Sequence, residues 1–206
     1  MSGRLITVEG LDGAGKSTLA VALVDALRAG GADVELLREP GGVLLAERIR
    51  TLVKDPALPC GPRAEALLYA AARAQLVEET LAPTLASGRT VLLDRFVDSS
   101  LAYQGAGRAL GVPEIAALNA FATGGLTPDR TLLLRVAPQT GRARLDDRGA
   151  APDRLELAGA EFFARVASAY DELAAAEPTR FRVLDAGRTA PEVLADALAA
   201  LRDLVP

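Results

Sequence analysis

The stretch Gly10-Leu11-Asp12-Gly13-Ala14-Gly15-Lys16-Ser17, followed by Thr18, has the residue types and spacing to hold phosphate oxygens. Its glycines let the main chain turn so that successive N–H groups face one anion. An apolar run precedes it and a helical stretch follows, so a helix N-terminus adds its partial positive charge. Lys16 can reach the outer phosphates of a polyphosphate, and the Ser17 hydroxyl can ligate Mg2+. A glycine turn with Ser17 as helix cap accounts for the glycines but not for the lysine at that spacing. Asp12 looks out of place, because facing the phosphates it would repel them. Its side chain must point outward to a donor or a cation, unless it only caps a local turn.

Other charged residues fall where they could complete such a site. Asp94-Arg95 ends an apolar run, which puts both in the crevice where α/β sheets bind ligands. An aspartate there can act on magnesium, although a simple salt bridge would look the same. Arg38-Glu39-Pro40-Gly41-Gly42 follows another apolar run and reaches the same crevice. Tyr69 and Arg73 stand four apart on one helix face, so the ring could stack on a base and the guanidinium bond its carbonyl. Ordinary packing would give the same spacing. Residues 138–152 carry Arg142, Arg144 and Arg148, with Arg154 just beyond. They read either as a solvated helix end and loop or as a mobile lid that brings arginines to a phosphate.

Strands are expected at 5–8, 34–37, 91–93, 132–136 and 181–184, where runs rich in apolar residues read as buried strands. Helical patterning covers 16–29, 43–53, 63–86, 113–122, 161–176 and 191–204, with Pro83 expected to kink or end the third helix. Strands alternating with helices imply a parallel sheet covered on both faces. At 206 residues the chain suits one domain, 1–206, with the lid at about 138–154. The net charge of −4 excludes long nucleic-acid tracts as partners. Histidine is absent and Cys60 stands alone, which removes His-based nucleophilic mechanisms, disulfides and cysteine zinc clusters. Lys16 and Lys54 are the only two lysines among 23 basic residues. No leader or membrane-spanning run is seen, so a cytoplasmic protein is expected.

Taken together, EGLDGAGKST, REPGG, LLYAAARAQL, LLDRFVDSSLAYQGAGR and the arginine-bearing segment resemble the thymidylate kinase family across the whole chain. The resemblance implies a three-layer α/β P-loop NTPase fold, with a parallel five-stranded sheet flanked by helices and an arginine-bearing lid. It implies phosphorylation of dTMP by ATP with Mg2+, in a homodimer that binds neither nucleic-acid polymer nor membrane. By the same resemblance Tyr69 stacks on thymine, Arg73 bonds its carbonyl, and Ser100 and Gln104 make polar contacts around the base. Tyr103 lies beneath the sugar and disfavours a ribose 2′-hydroxyl. Arg95 lies between acceptor and donor phosphates, and Arg38 and Arg50 bind the acceptor phosphate. Asp12 accepts a hydrogen bond from the 3′-hydroxyl or holds a magnesium water, and Ser17 and Asp94 serve the metal.

Some relatives carry an arginine where this chain has Gly13, so a lid arginine is expected to supply the missing charge. Arg148 is the first choice, and Arg142, Arg144 and Arg154 are alternatives. Arg135 departs from the family, where an acid is common. Another monophosphate or deoxynucleoside kinase on the same scaffold is the nearest rival. A GTPase switch would need an Asn-Lys-x-Asp motif, and neither lysine sits in one.

Overall fold

The computed structural model describes residues 3–147, 149 and 151–205. Five strands form one parallel sheet in the order β2-β3-β1-β4-β5: β1 (Leu5–Gly10), β2 (Val34–Arg38), β3 (Thr90–Asp94), β4 (Arg130–Arg135) and β5 (Phe181–Asp185). Alternate residues of the strands serve opposite faces. Ile6, Val8, Leu92, Leu132 and Leu134 pack on α1 (Lys16–Ala29) and α9 (Ala190–Leu201). Leu5, Val91 and Leu93 meet α2 (Leu44–Lys54) and α3 (Pro62–Leu76), while Leu133 and Phe181 meet α8 (Ala160–Ala176). The inner strands β1, β3 and β4 are buried on both faces and rich in apolar residues, which is why they could be read from the sequence.

Register places the site. Val8 and Arg38 both lie opposite Asp94, so β1, β2 and β3 end at one edge and deliver Gly10, Arg38 and Asp94 together. The Gly10–Ser17 loop crosses that edge and leads into α1.

Pro83 does not end its helix. α3 runs into a π-helical turn, Val77–Leu81, and continues as α4 (Ala82–Ala86). The wider turn moves the carbonyl that the proline ring would strike in α register. Three elements were not expected. The short helix α5 (Val97–Ser100) passes into a π-helical stretch, Leu101–Gly107, ahead of α6 (Val112–Thr123). The segment read as a loop or lid holds α7 (Pro138–Asp147), a helix whose buried residue is Gly141.

Two glycines set the height of α7 over the phosphate loop. A Cβ on Gly13, whose φ is +77°, would lie 2.1 Å from the Gly141 carbonyl oxygen. A Cβ on Gly141 would lie 2.7 Å from the Asp12 carbonyl oxygen. With α7 in this position, Gly13 leaves no room for an arginine in the loop.

Candidate active site

A cleft of about 530 Å³ opens at the strand-end edge. Its donor-side wall is the loop and helix start, Gly13, Gly15, Lys16, Ser17 and Thr18. Its far wall carries Arg38, Arg50, Tyr69, Arg73, Ser100 and Gln104, with Asp12, Arg95 and Tyr103 between. Gly10, Leu11 and Ala14 do not line it. Leu11 and Ala14 are buried in the core, and the tight turn needs them there.

Lys16 is buried, with Nζ donating to the Leu11 carbonyl at 2.7 Å. Burial and the nearby Arg95 pull its pKa down to about 8 against Asp12, Asp94 and Glu9. A phosphate in the cleft would hold the ammonium charged. The Ser17 hydroxyl donates to Asp94 Oδ2 at 2.6 Å, so the two candidate metal ligands are adjacent. Among the described residues no group of three or more His, Cys, Asp or Glu gathers as a cage for an ion. Two hard oxygens beside a phosphate loop suit Mg2+, which takes few protein ligands and fills the rest with water and phosphate oxygens.

Asp12 turns away from the loop interior. Its Oδ1 pairs with Arg95 Nη2, and its Oδ2 accepts from the Tyr103 hydroxyl at 2.8 Å. Burial works to raise its pKa, but Arg95, Lys16 and Tyr103 outweigh that and hold it at about 2. The acid in the anion cradle is thus neutralised from the opposite side. Arg95 itself has φ +71°, a left-handed backbone that costs a non-glycine residue roughly 1–3 kcal/mol.

Arg38 pairs with Glu47 at 2.9 Å, and Arg50 donates to the Pro40 carbonyl at 2.8 Å. Burial, then Arg38, lowers the pKa of Arg50. Two guanidinium groups held so close form a place for an anion.

Arg73 lines the cleft beside Tyr69 and is held by several partners. Its Nε and Nη2 engage Glu39 Oε2 at 2.7 and 2.6 Å. Nη2 also donates to the Phe96 carbonyl at 2.9 Å. Nη1 donates to Ser100 Oγ at 2.9 Å and to Asn119 Oδ1. A guanidinium has five N–H donors; four of them make hydrogen bonds within the protein, and Nη2 makes an ion contact with Glu39 besides. The pair with Glu39 is buried, at 2% and 4% side-chain exposure.

Of the arginines beyond β4, Arg144 lines the cleft and donates to the Ala186 carbonyl at 2.9 Å. Arg142 is engaged by Asp146 and the Glu156 carbonyl. Arg154 is committed elsewhere: it pairs with the buried Glu65 at 2.6 Å and donates to the Val53 carbonyl at 3.0 Å. Beside it Asp153 pairs with Lys54 at 2.7 Å, so this segment is fastened over the acceptor side of the cleft. Arg148 lies outside the described residues. Arg135 pairs with Asp171 at 2.6 Å on the surface.

Of the buried carboxylates not singled out from the sequence, three stand beside the site. Glu39 holds Arg73, as described. Glu65 accepts from Gln104 at 2.9 Å and from Arg108 and Arg154. Glu9, in β1, is fully buried; burial and then Asp98 push its pKa up to about 7. The local signal for each was only an acid inside or beside an apolar run.

A thymidylate kinase family model matches residues 8–197. The chain belongs to the thymidylate kinase family. It is 51% identical over 201 residues to a thymidylate kinase of Deinococcus radiodurans, covering 98% of this chain and 97% of that one. It is 48% identical over 206 residues to one from Ectopseudomonas mendocina, covering 100% of this chain and 98% of the other. A crystal structure of thymidylate kinase from Ehrlichia chaffeensis superposes with a TM-score of 0.81 at 28% identity, covering 98% of this chain and 100% of that one. The family is one of phosphotransferases acting on dTMP, and its P-loop fold is the five-stranded, three-layer arrangement seen here.

Proposed function

We infer that the cleft transfers the γ-phosphoryl group of ATP to the 5′-phosphate of dTMP, giving dTDP and ADP. The observation that carries this reading is Asp12: one P-loop residue faces the acceptor side while Lys16 and Ser17, four and five residues on, face the donor side. The attacking phosphate oxygen is already anionic, so the missing histidine is no obstacle. Positioning and charge neutralisation are what this chemistry requires.

Lys16 binds the outer donor phosphates, Arg95 lies between donor and acceptor, and Arg38 and Arg50 hold the acceptor phosphate. Mg2+ bound with ATP would be held by Ser17 and Asp94, and would neutralise charge on the phosphate oxygens. Tyr69 stacks on the base. Ser100 accepts from Arg73 and keeps its own proton for the base, while Gln104 gives its amide N–H to Glu65 and keeps its carbonyl. Arg73 bonds the base carbonyl and also fixes Ser100. Asp12 accepts from the 3′-hydroxyl on lone pairs that Arg95 and Tyr103 leave. Arg144, on the cleft wall, is the described lid arginine placed to meet the phosphates, and the catalytic role of Arg148 remains a proposal beside it. An assay of ADP release across the monophosphates tests the acceptor, with dTMP expected to give the highest kcat/KM. A higher value for a purine or cytosine monophosphate would favour the rival kinase reading.

Tyr103 is buried against Phe162 and Tyr170, so its ring is a fixed wall beneath the sugar. Tyr103→Ala should weaken dTMP binding and narrow the preference for the deoxy over the ribo acceptor, by about tenfold in the ratio of kcat/KM values. An unchanged ratio would show that the ring does not occupy the space of a 2′-hydroxyl.

We also propose a homodimer. Phe121 on α6 is 90% exposed and Leu67 on the neighbouring α3 is 58% exposed, which is costly for a monomer surface. Phe121→Asp should convert a dimer to a monomer in light scattering; a wild-type monomer at micromolar concentration would refute the assembly. No helix of the described residues is long and apolar enough to cross a membrane. We place the reaction in the cytoplasm, where both nucleotides are dissolved, and recovery of the protein with membranes on fractionation would contradict that.

A further inference from the structure

Glu9 sits one residue before the phosphate loop and does not itself line the cleft, yet it gathers four donors. Its Oε1 accepts from the Phe96 N–H at 2.7 Å and the Ser99 N–H at 3.2 Å. Its Oε2 accepts from the Ser99 hydroxyl at 2.6 Å and the Tyr170 hydroxyl at 2.8 Å. An ionised carboxylate is an acceptor only, so these four donors favour that form against the burial and the Asp98 charge that raise its pKa.

Those partners surround Arg95. The left-handed backbone at Arg95 takes the chain off the β3 ladder after its own N–H has bonded the Val8 carbonyl at 3.0 Å. The next N–H, on Phe96, then points into a fully buried region where water cannot satisfy it. Glu9 satisfies it. The second link is through the side chain: Ser99 Oγ, donating to Glu9, accepts from Arg95 Nη1 at 3.0 Å. With Nη1 held there, Nη2 is left to Asp12 and, at 3.5 Å, to the Tyr103 hydroxyl. Glu9 thus supports both the backbone turn and, together with Asp12 and the Gly10 carbonyl, the direction of the guanidinium.

We propose that Glu9 is a positioning residue for phosphoryl transfer, holding the turn at Arg95 and aiming its guanidinium through Ser99. This rests on the reading that Arg95 lies between the two phosphates. A group that acts through Arg95 matters to the reaction only while Arg95 is present, whereas a residue that merely supports the fold costs the same with or without it.

The test is a double-mutant cycle on purified, folded enzyme, with kcat and the KM for ATP and dTMP measured for Glu9→Ala, Arg95→Ala and the pair. Glu9→Ala should lower kcat by about thirtyfold, change KM for ATP by less than about threefold, and cost less than about twofold in the Arg95→Ala background. Should Glu9→Ala fail to fold, Ser99→Ala replaces it in the same cycle. That variant keeps the Glu9 bonds to the backbone, cuts the hydroxyl link together with a Ser99–Tyr170 contact, and should lower kcat by about fivefold in the wild-type background and not at all beside Arg95→Ala. Equal losses in the two backgrounds, or full activity of the single variant, would overturn the proposal. Arg95→Ala with wild-type kcat would instead overturn the placement of Arg95 between the phosphates. An impaired Arg95→Ala with a fully active Glu9→Ala would overturn the Glu9 proposal alone.

Discussion

Lys16→Ala should reduce kcat by at least about two to three orders of magnitude while leaving the fold intact. The ammonium is the one mobile positive charge of the loop, and Gly13 leaves no space for a second. Its present partner is a single carbonyl, that of Leu11, so the alanine breaks no ion pair in the absence of substrate. Because Lys16 is buried at the start of α1, its removal also relieves a desolvated charge, and thermal stability should hold or rise. Steady-state kinetics beside a melting curve separate the two effects. Near-normal turnover from folded protein would remove the P-loop from the chemistry.

Arg73→Ala should be the most damaging change on the acceptor side, and chiefly through stability. It leaves Glu39 buried without its partner and strips acceptors Ser100, Asn119 and the Phe96 carbonyl of their donor. Breaking a buried pair from one side costs about 3–5 kcal/mol, a large share of the stability of an ordinary domain. The pH dependence has a definite sign. Burial already raises the pKa of Glu39 above its unfolded value, and Arg73 pulls against that. Without Arg73 the folded pKa rises further, so the folded state holds a proton more tightly than the unfolded chain. The variant should therefore recover stability as pH falls and lose it as pH rises, relative to wild type. Urea titrations at several pH values would show this, and a deficit independent of pH would mean that Glu39 is not the uncompensated group.

The parts of this structure that could be read from the sequence are those whose physics is local. Runs rich in apolar residues marked the five strands, most clearly the inner ones, whose two faces are both covered. The phosphate loop was legible because glycine, lysine and serine at fixed spacing have few other uses together. Asp94 and Arg95 were placed correctly because the end of a buried strand is a position in space as well as in sequence. The family resemblance then put Tyr69, Ser100, Tyr103 and Gln104 in one cleft, where the structure finds them.

Other features were hidden because their partners are far apart in the chain. Glu39 and Arg73 are separated by 34 positions and Glu9 and Tyr170 by 161, so neither acid carries a local mark of its role. Arg73 could be assigned to the cleft, but its bonds to Asn119 and Phe96 could not be foreseen, because no motif connects those residues to it. α7 escaped notice because its arginines and aspartates leave no apolar stripe, only Gly141 being buried. The π-helical stretch at Leu101–Gly107 lacks a 3.6-residue period by construction. Arg154 shows the limit of reading charge alone: counted among the lid arginines available to phosphate, it instead anchors its segment to Glu65.

The most direct measurement follows the phosphoryl group itself. ATP labelled at the γ-phosphate is incubated with the purified protein and Mg2+, with and without dTMP, and the labelled products are separated. Label is expected in dTDP, only when dTMP is present, and with one ADP formed for each dTDP. Label released as inorganic phosphate at the same rate with and without dTMP would contradict transfer to a nucleotide and leave only a nucleotide hydrolase.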